Sequence, residues 1–246
     1  MHWDFAAILF FLGVVVPWMG RRRMRQLIKL ASTSRLERLS IYASTIALQW
    51  VAAVVILWRT ASRDIRPTQL GLAVSRPELT WTVTVALSIL IVANQIVSLR
   101  RITTRPEELR GLISHLALKV FPQDTVESLV FLALVSTVAV CEELIYRGFV
   151  QYVFQSWAGG TVIVGIAASA LFFGLAHLYQ DKRGTASTVV IGAIFSAIRT
   201  WTDSLVPSAV AHFLADLVVG FSAPARVRAA LEQSKNQSVN AIELKH

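Results

Sequence analysis

The chain has 246 residues, 54% of them hydrophobic and only 16% charged, with a mean hydropathy of +0.56 and a net charge of +9. Soluble domains average roughly 45–50% apolar and about 25% charged residues, so the polar surface needed for a nucleic-acid binder is missing. The same composition suits an integral membrane protein whose basic residues sit in short loops between apolar spans.

Hydropathy predicts seven spans, at residues 5–19, 39–58, 79–99, 129–154, 161–179, 187–202 and 205–221. A crossing helix needs about 20 mainly apolar residues, so the first and sixth candidates are short. The first lacks a basic stretch before its apolar run and reads as an anchor rather than a cleavable signal. Segment 21–38 (RRRMRQLIKLASTSRLER) has two readings: an amphipathic helix lying on anionic lipid, or a solvated connector that sets topology. The fourth candidate carries charges in its middle. The polar end beyond residue 231 (EQSKNQSVNAIELKH) reads as loosely ordered.

Charge placement tests the map. With the N-terminus outside, segments 21–38, 100–124, 180–186 and the tail from 222 are cytoplasmic and hold 18 of the 24 Lys and Arg residues. That asymmetry follows the positive-inside rule and sets the expected orientation, N-terminus outside and C-terminus cytoplasmic. The predicted fold is an all-α polytopic bundle with its polar site in the core. It is one structural unit in three parts: N-terminal helices 1–124, a motif-bearing core 125–221 and a tail 222–246. The single cysteine, Cys141, rules out an internal disulfide, and its place beside two carboxylates in an apolar span marks it as packing.

Ionisable groups inside spans are costly and usually face a partner or a cavity. His2 and His246 are terminal and His115 is in a basic loop, which leaves His177 and His212 within spans. The buried acids are Glu142, Glu143 and Asp216. Glu143 and Arg147 stand four apart in the favourable order for a helical ion pair. Glu142 is turned about 100° away, without a local cation, as suits a general base. Phe173 and His177 share a helix face, as do His212 and Asp216. A helix-locking polar cluster and a proton relay for transport use the same residue types. The relay would ordinarily come with inverted repeats, and none is visible.

These three pairs, Glu142-Glu143-x3-Arg147, Phe173-x3-His177 and His212-x3-Asp216, resemble in order the motifs of the CAAX-protease and bacteriocin-processing (CPBP, or Abi) intramembrane endopeptidases, and are similar to those of type II CAAX prenyl proteases. The resemblance covers roughly 125–220. It implies that Glu142 and His177 activate water and that His212 and Asp216 stabilise the oxyanion, while Glu143, Arg147 and Phe173 support them. Relatives of eukaryotic type carry Asn where this chain has Asp216, and an ionised Asp cannot donate to an oxyanion. It would then be protonated, or would orient His212 as a cation. No cofactor is favoured; the alternative is zinc on Glu142, His177 and His212. HExxH, GxSG and GxGD, the marks of other intramembrane protease classes, are absent. The expected partners are membrane lipids and a peptide or protein substrate, with no nucleic acid.

Overall fold

The computed structural model describes residues 3–104 and 112–243, and among these it is helical without strands. It has the predicted all-α polytopic architecture. The helices are α1 (Trp3–Lys29), α2 (Arg35–Ala61), α3 (Pro77–Thr104), α4 (Leu112–Lys119), α5 (Thr125–Trp157), α6 (Val162–Ala176), α7 (Lys182–Thr202) and α8 (Val206–Glu243). Of these, α1, α2, α3, α5 and α8 are long and apolar enough to cross a membrane. The fifth and sixth candidates correspond to α6, which is shorter, and to α7, whose first turns are polar.

Helix α1 differs most from expectation. It runs unbroken through the arginine cluster and ends only at Leu30, so residues 21–29 extend the first span instead of lying apart from it. Arg, Met, Gln, Leu and Lys are all good helix formers, and Gly20 alone does not stop them. A π-helical turn at Phe11–Val15 precedes Pro17, where the normal hydrogen-bond ladder would lack a donor anyway. The tail also departs from expectation, because α8 continues past Pro224 to Glu243. Residues 225–243 contain no glycine or proline to end it.

Sequence-local signals start three of the other helices. Ser34 caps α2 in a capping box with Glu37, Asp124 caps α5 by accepting from the Glu127 N–H at 2.9 Å, and Asp181 caps α7. Gly159 and Gly160, both with positive φ, turn the chain from α5 into α6.

Helix α5 is the centre of the fold. Its first half keeps a lipid-facing side (Val126, Leu129, Leu132 and Val140 are exposed), whereas every residue from Glu143 to Val150 is buried. The largest core cluster packs Leu144, Tyr146, Phe149 and Val153 of α5 against Phe5, Leu9 and Leu12 of α1, Ile56 of α2 and Phe173 of α6. The buried stretch is π-helical over Glu143–Val150.

A buried polar cluster facing a cavity

The site grows from this π-helical turn. Glu143 and Arg147 are both fully buried, and the Arg147 Nη1 donates to Glu143 Oε1 at 2.9 Å, the predicted pair. The guanidinium lies over the Phe173 ring at 3.9 Å from its centroid and 5.5 Å from that of Phe195. Two aromatic faces thus complete the surroundings of a cation that water cannot reach. Phe173 is therefore more than filler: it stacks on Arg147 and adjoins the rings of Tyr146, His177 and His212.

Glu143 Oε1 serves a second partner. His212 on α8 places Nδ1 3.0 Å from it, which turns the opposite nitrogen, Nε2, toward Glu142 Oε2 at 4.0 Å and Asp216 Oδ2 at 3.7 Å. An imidazole with carboxylate oxygens on both sides can donate in both directions only as the cation. Asp216 is the most open member, its side chain 40% exposed against 11% for His212.

Glu142 points elsewhere. Its Oε1 accepts from Gln49 Nε2 of α2 at 2.9 Å, and its Oε2 is buried without a hydrogen-bond partner among the described residues. On the other wall, His177 follows the last turn of α6, and its Nδ1 meets the Phe173 carbonyl at 2.8 Å. A carbonyl only accepts, so Nδ1 carries a proton, and in the neutral ring Nε2 keeps its lone pair. Glu142, Tyr146, His177 and Gln49 line one cavity of about 500 Å³, whose opposite side is formed by α1 residues including Trp18, Arg22 and Arg23.

The seven residues singled out in the sequence therefore gather in one place. Arg147 and His212 meet at Glu143, Phe173 bridges to His177, and Glu142 and Asp216 flank His212. Two neighbours escaped the sequence reading. Gln49 was findable as the one amide in the apolar run IALQWVAAVVIL, and Phe195 carried no signal beyond being apolar. Among the described residues, no three His, Cys, Asp or Glu side chains are grouped closely enough to hold a metal ion, so Glu142, His177 and His212 do not form a ligand set as placed. Both histidines also spend Nδ1 on protein acceptors.

A bundle of membrane-length helices enclosing a Glu–Arg–His cluster beside a cavity has the layout of an intramembrane enzyme. Residues 124–218 match the family model of the type II CAAX prenyl endopeptidases, described as Rce1-like. The resemblance drawn from the three motifs is borne out over that stretch, which is similar to the CAAX-type membrane proteases. The match leaves α1 to α4 outside. No curated protein and no solved structure matches the chain.

Proposed function

We propose that the chain is an intramembrane endopeptidase in which Glu142 activates water for attack on a peptide carbonyl. The observation that carries this reading is the division of labour between adjacent carboxylates. Glu143 is fully buried and engaged by Arg147 and His212, whereas Glu142 lines the cavity, with Oε1 held by Gln49 and Oε2 free of hydrogen bonds among the described residues, 4.0 Å from His212 Nε2. In the reaction Glu142 takes a proton from water as the oxygen bonds to the carbonyl carbon. The carbon–nitrogen bond then breaks, and the proton goes to the leaving amine.

His177 shares the cavity and offers Nε2 as a second contact for that water. His212, held by Glu143 and flanked by Asp216, directs Nε2–H toward the developing oxyanion, and Asp216 keeps the ring charged rather than donating itself. No step is routed through a metal. The substrate is a membrane-associated peptide or protein, and the cavity opens beside the basic end of α1.

Glu142→Gln tests the reading. The side chain keeps its size and its contact with Gln49 but cannot take a proton, so turnover should fall by about 10²–10⁴ while protein level and thermal stability hold. Cleavage surviving in the folded variant refutes it, and so does activity that a chelator abolishes and zinc restores. The match of residues 124–218 to the family model is unaffected by either outcome, which leaves a helix-locking scaffold of the same fold as the alternative.

The basic ends of the helices orient the chain with its N-terminus outside and C-terminus cytoplasmic. Cys141 is buried, so single introduced thiols report topology cleanly. With a membrane-impermeant maleimide, Ser62→Cys should label on intact cells and Ser32→Cys only after permeabilisation. The reverse pattern inverts the orientation.

A further inference from the structure

Helix α1 carries a stripe to which the reaction above assigns no role, although its Trp18 and Arg22 also border the site cavity. Val14, Trp18, Arg22, Arg25 and Lys29 recur at helical spacing on one face, with Arg21 beside them. The stripe lines a cleft of about 530 Å³ closed on its far side by Leu178. Its composition changes in order along the helix: Gly13, Val14 and Pro17 are apolar, Trp18 is amphipathic, and everything polar beyond is cationic or Gln26.

The cations are not neutralised from within. Among the described residues no carboxylate lies within ion-pair distance of Arg21, Arg22, Arg25 or Lys29, and no acid lines the cleft. Arg21 donates through Nε to the Leu178 carbonyl at 3.0 Å, which fixes the cleft's two walls together. The Arg22 guanidinium is 5.5 Å from the centre of the Trp18 ring, so the aromatic and basic zones are contiguous.

A membrane-spanning helix that passes from apolar side chains through tryptophan to unpaired arginines repeats the layout of one lipid leaflet: acyl chain, interface, charged headgroup. We propose that this cleft binds one anionic phospholipid. Its phosphate sits among Arg21, Arg22, Arg25 and Lys29, its glycerol region rests on Trp18, and an acyl chain runs along Gly13, Val14 and Pro17. Arginine suits this task because its planar fork donates two parallel hydrogen bonds to phosphate oxygens. The inference needs membrane insertion alone and stands whether or not the chain cleaves peptides.

The test uses the full chain in nanodiscs of phosphatidylcholine with a minority of phosphatidylglycerol. Lipid that co-purifies after exchange into detergent is then counted by mass spectrometry. The protein should retain phosphatidylglycerol in preference to phosphatidylcholine. Arg22→Gln/Arg25→Gln should lower that preference by about 25-fold, since each basic residue near an anionic surface contributes about fivefold. Arg226→Gln/Arg228→Gln removes the same charge from α8 and should leave the preference intact. Equal retention of both lipids overturns the proposal, as does an equal loss in both double variants. Displacement of the lipid by inorganic phosphate alone also overturns it, since the site would then read a free anion and not a lipid.

Discussion

Two neighbouring glutamates, Glu142 and Glu143, end up with different partners because one residue of helix turns a side chain by about 100°. Glu143 faces the interior and meets Arg147 and His212; Glu142 faces the cavity and meets Gln49. That split was legible in the sequence, since the Glu143–Arg147 spacing announces a pair and leaves Glu142 without one. What could not be read was the group that aims Glu142, because Gln49 lies 93 positions away on a helix outside the family match. Hydrogen bonds to charged groups contribute about 1.5–3 kcal/mol. Gln49→Leu should therefore lower kcat by about 10- to 100-fold with KM little changed, since a positioning residue affects the reacting geometry more than substrate capture. A parallel rise in KM with unchanged kcat would mean that Gln49 only shapes the cavity wall.

At the level of elements, the long apolar segments were readable, and the π-helical turn of α5 was not. Its residues, ELIYRGFV, have no composition that separates a wide turn from a normal one. The wide turn is a product of packing: the stretch is buried on every side and must place Glu143, Arg147 and Phe149 against three different neighbours. Helix α6 approaches the next turn of α5 at backbone distance. A Cβ built on Gly165 would stand 2.7 Å from the Gln151 carbonyl oxygen, and backbone cannot swing aside as a side-chain tip can. Gln151 in turn donates to Thr200 Oγ1 of α7 at 2.7 Å, so the same residue joins three helices. Gly165→Ala should thus push α6 off α5 and cost about 1–3 kcal/mol, read as a lower thermal midpoint in detergent. Because α6 carries His177 at its end, cleavage should fall along with stability. A variant as stable as the parent would show that the helices tolerate the added methyl.

For the molecule as a whole, α1 and α2 lie outside the family match yet are fastened to the matched core and to each other by buried charge. At one end Asp4 of α1 accepts from Arg59 of α2, with Arg63 at 3.5 Å. At the other, Arg38 of α2 grips Glu127 of α5 with two parallel bonds, Nε to Oε2 at 3.0 Å and Nη2 to Oε1 at 2.7 Å. Glu127 is fully buried and takes a third bond from the Gln123 N–H, while Arg38 Nη1 donates to the Thr33 carbonyl at 2.6 Å. Hydropathy gave no hint of this clamp, since both residues sit at helix starts where charge is ordinary. Only the fold reveals that those starts face each other. Removing one partner of a buried pair strands the other and costs about 3–5 kcal/mol, whereas replacing both with apolar groups is often close to neutral. Glu127→Gln should therefore lower the thermal midpoint by about 6–20 °C, at roughly 2–4 °C per kcal/mol for a chain of this size. Arg38→Met/Glu127→Leu should recover most of that loss. If the double variant is as unstable as the single one, the pair does more than satisfy its own charges, and the orientation of α2 that carries Gln49 to Glu142 depends on it. A cleavage assay on the stable double variant separates the two roles: with Gln49 still in place, turnover should match that of the parent.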